Sequence, residues 1–384
     1  MNFPIDIHAN FALHMSTSQD CAHPGLMKVS QSGTLLFAAA LRIRSRWSVL
    51  PMFWAAVLTF LSAGMACSQS VTYEGNKGPG HGKHIVLIAG DDGEYHSEEA
   101  LPQLAKILAV RHGFRCTVIF PLAGDGTIDP HQNKDLRGLE ALRDADLLVL
   151  FIRWRDLPDE QMKMLIDYAQ SGRPIIAIRT GTHPFQLTTS KTYERYSWNS
   201  TVPGWEGGFG RKVLGETWVA HHGKHGKQST RALFAPGVAE NPIVRGIKSG
   251  EIWVPTEVYE VRLPMEPSCR PLLLGQVLSG LSPEDAPVPG KLNDPMMPVA
   301  WTNHFTGEQG KTARVFVSTM GAADDLESEG LRRLLVNAAY WTVGLEKKIP
   351  ARSDVAVVGE YHPHAYTSEQ YTKGVKPSDL ALQP

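Results

Sequence analysis

Short runs of unbroken apolar residues, each followed by a stretch of helical period, constrain this chain more than any other feature. His84-Ile85-Val86-Leu87-Ile88-Ala89 is the first. No polar residue alternates within it, so it reads as a strand covered on both faces. Gly90-Asp91-Asp92-Gly93 ends it. Ser97 can cap the helix that follows, with Glu98 and Glu99 favourable beside its positive end. Leu101, Leu104, Ala105 and Leu108 recur there at helical spacing, and Gly113 stops it. Residues 116–120 and 147–152 read as the second and third strands. A helix over 158–170 turns Met162, Leu165, Ile166 and Ala169 inward, and 174–178 is a fourth strand. Strands alternating with helices need crossovers, which predicts an α/β fold with a mostly parallel sheet and helices on both faces.

Upstream, Arg42, Arg44 and Arg46 precede the apolar run 49–61 and the small residues leading to Ala66-Cys67-Ser68. That order is a secretory signal with a long n-region, placed at 1–68, and it predicts export to the periplasm or the medium. Cleavage after Ala66 or after Ser68 both fit, and an uncleaved anchor is the competing reading; once cleaved, no stable membrane span is expected. Gly75, Gly78, Gly80 and Gly82 mark 69–83 as a linker. The main domain is read as 84–346 and a Pro-rich, polar tail as 347–384.

Downstream strands are expected at 213–219, 229–234, 256–262, 271–278, 299–303 and 312–318, with a helix over 327–343. Residues 180–227 are rich in Gly, His and aromatics without period, which suits a functional segment better than a disordered one. The 384-residue chain carries 38 basic and 39 acidic side chains. No basic excess exists to neutralise phosphates, so no nucleic-acid partner is expected. Four scattered cysteines exclude a disulfide framework.

Several segments, in order, resemble the trehalose-utilisation (ThuA-like) family: Ala89-Gly90-Asp91 with Tyr95-His96-Ser97-Glu98-Glu99-Ala100-Leu101-Pro102, Ile178-Arg179-Thr180-Gly181-Thr182-His183, Leu214-Gly215-Glu216-Thr217-Trp218-Val219-Ala220-His221-His222-Gly223, Asn241-Pro242-Ile243-Val244-Arg245-Gly246, Pro298-Val299-Ala300-Trp301 and Arg314-Val315-Phe316-Val317-Ser318-Thr319-Met320-Gly321. The resemblance spans about two thirds of the chain. It implies a flavodoxin-like, class I glutamine-amidotransferase-like fold and a link to sugar utilisation. True amidotransferases carry a cysteine in the elbow matched by 178–183. None stands there, and a threonine hydroxyl is a much weaker nucleophile, so glutamine hydrolysis is not expected.

Ligands of open α/β sheets bind beyond the carboxyl ends of the strands. That rule selects Asp91, Asp92 and Glu94, then 153–155, then 179–183. G-x-G-x-x-G is absent and acidic residues follow the first strand, so no dinucleotide is called for. Carboxylates, arginines and tryptophans suit a small carbohydrate instead, with Trp154, Trp198, Trp205 and Trp218 as stacking platforms; the competing reading of each is core packing. His183, His222 and Asp91 are the expected catalytic set. Asp92, Arg179, Thr180, Trp154, Trp218, His221, His225 and His304 are the expected substrate contacts. Adjacent residues of a strand face opposite ways, so at most one of His221 and His222 can enter a pocket. Glu216 and Glu257 are candidate acids or arginine partners. No cofactor is required, and the His221–His225 loop fits no established ligand spacing, though a divalent metal stays open. Two functions follow: a sugar-acting hydrolase or lyase, or a binding module that has lost the nucleophile. The oligomeric state is not fixed by these residues.

Overall fold

Every residue of β2 (His84–Gly90) and β4 (Leu147–Ile152) is buried, as their unbroken apolar runs require. The computed structural model describes residues 69–368 and 370–382; the export signal read from the sequence lies outside the described residues. β3 (Arg115–Ile119), β5 (Ile175–Ile178) and β12 (Thr312–Ser318) join β2 and β4 in one sheet, and the contacts β3–β2–β4–β5–β12 are all parallel. Numbered among themselves, these strands lie in the order 2-1-3-4-5. That doubly wound order opens a crevice where the chain reverses direction, at the carboxyl ends of β2 and β4.

The expected mostly parallel sheet holds for this half only. β12 continues antiparallel into β11 (Met297–Thr306), β10 (Arg270–Val277), β7 (Thr230–Phe234) and β8 (Ile252–Val254). Among the described residues the ten-stranded sheet is therefore mixed. The physical reason is the connections: parallel neighbours need a long, usually helical crossover, and no α-helix forms between β5 and β12. β1 (Ser70–Tyr73), within the stretch read as a linker, pairs antiparallel with β3 at the other edge.

The helices cover both faces. α1 (Ser97–His112) and α3 (Glu329–Thr342) pack on the face bearing Ile85, Leu87, Val149 and Phe316. α2 (Asp159–Gln170) covers the face bearing Val86, Ile88, Leu150 and Val317. Burying each such aliphatic side chain contributes about 1.5–3 kcal/mol before chain entropy is charged.

Two expected strands are absent as such. The 213–219 stretch becomes a wide turn, Gly210–Leu214, because the carbonyls of Leu214 and Val213 accept bonds from Trp301 Nε1 and Asn303 Nδ2 at 2.9 and 3.1 Å. Of 256–262 only β9 (Tyr259–Glu260) is extended, paired with β6 (Ala220–His221) outside the main sheet. The tail runs back over α1: His112 Nε2 lies 2.7 Å from the Asp354 carbonyl oxygen, and His364 Nδ1 2.6 Å from Glu99 Oε1. Among the described residues no helix is long and apolar enough to cross a membrane.

Candidate functional site

The site is built where β2, β4 and β5 release the chain. Four non-glycine residues adopt positive φ among the described residues: Asp92 and His96 after β2, Trp154 after β4 and Arg179 after β5, at 67°, 54°, 44° and 48°. Side chains resist this conformation, and such strain collects at functional sites. At Arg179 the turn drops the guanidinium beneath the crevice. There Nη2 reaches Glu257 Oε1 at 2.5 Å, and Nη1 donates to the carbonyls of Glu257 and Thr319 at 2.9 and 2.6 Å. The Tyr259 and Tyr95 rings, set edge to face with each other, lie 3.8 and 4.4 Å from it.

Glu257 organises what lies above. His221 Nδ1 lies 2.8 Å from Oε1 and His225 Nδ1 3.2 Å from Oε2. Burial alone would raise this carboxyl, but the Arg179 charge and the two imidazoles hold it far below the ordinary carboxylate range. It is an anion, and each imidazole is turned so that Nε2 is its uncommitted nitrogen. His221 and His225 keep over a third of their side-chain surface exposed, whereas Glu257 keeps none.

Beside the pair stands an aromatic wall. Trp218 contacts His221 at 5.8 Å between ring centres, Trp198 at 5.7 Å and Trp154 at 6.3 Å. His183 packs on Trp218 at 5.0 Å and on Trp154 at 5.6 Å. Burial, and after it the charges of Arg153, Arg179 and His221, depress the His183 pKa well below its usual value, so the ring stays neutral. All three indole Nε1–H groups are buried without a protein acceptor. Arg153 lies over the Trp154 ring at 4.0 Å and forms an ion pair with Glu94. Next to them opens a cavity of about 520 Å³, lined by Asp92, Glu94, Arg153 and His225 together with tail residues 366–368.

The sequence-selected residues divide accordingly. His183, His221, His225, Trp154 and Trp218 come together, with Asp92 at the rim. Asp91 is fully buried, and its carboxylate accepts from the Tyr95 and Ser97 amides and from Ser97 Oγ, so it shapes the loop and offers nothing to a ligand. Ser97, spent on Asp91, does not cap α1; the preceding residue, His96, takes that position. His222 turns the other way and sets Nε2 3.0 Å from the Leu292 carbonyl oxygen. His304 of β11, opposite Arg314 of β12, lies towards the far end of the strands. Arg179 and Thr180 are fully buried, the first as a support beneath Glu257. Trp205 packs apart, against Tyr196 at 4.6 Å. Glu216 pairs with Arg262 at 2.9 Å.

No protein-family model matches the chain, and no curated protein matches it. Among solved structures it is similar to a chain from Bacteroides uniformis ATCC 8492 described as thua-like, at 16% identity and a TM-score of 0.42, covering 70% of this chain and 95% of that one. A chain so described from Parabacteroides merdae ATCC 43184 gives 16%, 0.43, 68% and 90%. Both of these neighbours are described as thua-like. Likeness of this degree concerns the path of the backbone, and the chemistry is carried by the side chains above. Tyr95, Tyr259 and Tyr366 were not singled out from the sequence. Tyr366 stacks on Tyr95 at 6.1 Å from 271 positions away, a relation without a local signal.

Proposed function

We propose that this protein serves carbohydrate utilisation as an exported ThuA-like protein. In this reading it takes a sugar or an oxidised sugar into the cleft and acts on it through the imidazoles that Glu257 holds. The observation that carries the reading is the pairing of two partly exposed histidines on one buried carboxylate, beside a wall of three tryptophans. The rings offer flat apolar faces of the kind a sugar ring stacks on. The carboxylate fixes the tautomer and aim of His221, the orienting role that a buried acid plays behind a working histidine, and lies close against His225. A lone pair presented this way serves hydrolysis or proton removal beside a carbonyl. Export is supported by the order of residues 42–68, and the family reading by the ordered segments from Ala89 to Gly321.

The test is His221→Ala, assayed on a panel of disaccharides and their keto and aldonic forms. Turnover should fall roughly 10²–10⁴-fold, while sugar binding, followed by tryptophan fluorescence, persists. His222→Ala should behave as the parent. If no sugar is turned over by the parent but sugars still quench its fluorescence, the cleft is a binding module and the catalytic half of the reading falls.

A further inference from the structure

We infer that Glu94, His221 and His225 hold a divalent transition-metal ion, of the zinc type, at the mouth of this cleft. One ligand atom from each of the three lies within 4.8 Å of the others. The three come from separate places in the chain: Glu94 from the loop after β2, His221 from β6 and His225 from the turn beyond it. Two imidazoles and a carboxylate are a donor set that zinc accepts while keeping a position open for water or substrate.

Proximity alone would not argue for an ion. The second observation is how both Nδ1 atoms stand against Glu257: that of His221 is hydrogen-bonded to Oε1 at 2.8 Å, and that of His225 lies 3.2 Å from Oε2. A histidine that binds a metal usually donates its other ring N–H to a carboxylate, which fixes the tautomer and raises the ligand's basicity. Here a single buried carboxylate does this for His221 and stands 3.2 Å from the same nitrogen of His225, and Arg179 beneath holds it charged. A structural ion pair would need only one imidazole, and neither ring would need its remaining nitrogen turned out.

Arg153 is paired with Oε2 of Glu94, which leaves Oε1 for the ion. Zinc bonds of about 2.0–2.1 Å at tetrahedral angles put ligand atoms roughly 3.4 Å apart. From separations of up to 4.8 Å the donors must therefore close by up to about 1.4 Å, within reach of side-chain rotation at partly exposed positions. The adjoining cavity gives the open position access to a ligand. The inference rests on reading this cleft as the sugar site and changes the part the imidazoles play there: with the ion bound, their lone pairs hold it instead of taking a proton, and the ion would polarise the sugar oxygen or the water that reaches it.

The purified protein, stripped with EDTA and dialysed, is titrated with zinc chloride by calorimetry. One ion per chain is expected. Affinity should fall at least tenfold in His221→Ala, in His225→Ala and in Glu94→Gln, and should be unchanged in His222→Ala. Zinc should also raise the melting temperature of the stripped parent but not that of the His221→Ala/His225→Ala double variant, a readout independent of turnover. No saturable binding, or equal affinity in the three ligand variants, overturns the site. Sugar quenching of fluorescence in the stripped protein is scored separately: quenching without zinc binding removes the ion and keeps the sugar reading, and zinc binding without quenching keeps the ion and removes the sugar.

Discussion

Arg179 Nη2 and Glu257 Oε1 meet at 2.5 Å with both side chains sealed from solvent. Attraction between them must offset the desolvation of two charges, so the pair adds little net stability compared with an apolar pair of the same shape. What it fixes is geometry. The pair joins the end of β5 to the segment before β9, and sets the carboxylate beneath two imidazoles.

Glu257→Gln leaves the Arg179 guanidinium buried without its counter-charge, at a cost of about 3–5 kcal/mol. The double variant Arg179→Met/Glu257→Gln removes both charges and should cost less than the sum of the two single changes. Denaturant unfolding of the four proteins checks this. A purely additive result would show that the two side chains are not coupled.

The same carboxyl gives an acid limb to stability. Its pKa in the fold lies far below that of the unfolded chain, near 4.3, so the fold binds fewer protons there. Its contribution is complete above the unfolded value and is lost as pH falls towards the folded one. The stability gap between parent and Glu257→Gln should therefore narrow below about pH 4. A gap constant from pH 6 to pH 3 would contradict the charge argument.

His96 gives the opposite limb. Burial lowers its affinity for a proton, but the bond to Glu98 and the charges of Glu98, Asp91 and Glu99 outweigh this and raise its pKa to about 9. The fold thus binds a proton that the unfolded chain releases near 6.5. Its stabilisation is complete below that value and is lost as pH rises through about 9. Because His96 Nε2 lies 3.2 Å from the Ala365 carbonyl oxygen, the loss should appear at the tail. Hydrogen exchange at 362–368 should speed up between pH 7 and pH 9.5 in the parent. In His96→Gln it should show no such extra rise.

Of this architecture, the parallel half was legible because its signals are local. Unbroken apolar runs gave β2, β4 and β5, and helical spacing gave α1 and α2 to within a residue or two. The antiparallel half was less so, since 213–219 has strand composition but surrenders its carbonyls to Trp301 and Asn303. At the site, the strand-end rule found the right loops. It could not show that Asp91 turns inward to Ser97, or that His221 rather than His222 faces Glu257. Those outcomes depend on contacts between segments far apart in sequence.

Gly208 holds the segment between Trp198 and Trp218 in place. Its φ is 58°, and a Cβ there would stand 1.9 Å from the Ser197 carbonyl oxygen. Gly208→Ala meets both a disfavoured conformation and a backbone clash, and should cost more than about 1 kcal/mol. It should also weaken sugar binding, because Ser197 precedes Trp198. Thermal unfolding and fluorescence titration together check this; an unchanged melting temperature would mean that the approach is not as close as described.

The tryptophans offer the last test, since composition alone ranks Trp205 and Trp218 as equal platforms. Trp218 touches His183, His221, Trp154 and Trp198. Trp205 instead packs against Tyr196 under the Arg195 guanidinium, 4.7 Å above its ring. Stacking on an aromatic ring contributes about 0.5–1.5 kcal/mol beyond area burial, and about 1.4 kcal/mol is tenfold in affinity. Trp218→Ala should thus weaken sugar binding by about tenfold, whereas Trp205→Ala should cost stability and leave affinity alone. Equal losses of affinity in the two variants would place the sugar somewhere other than the wall beside His221.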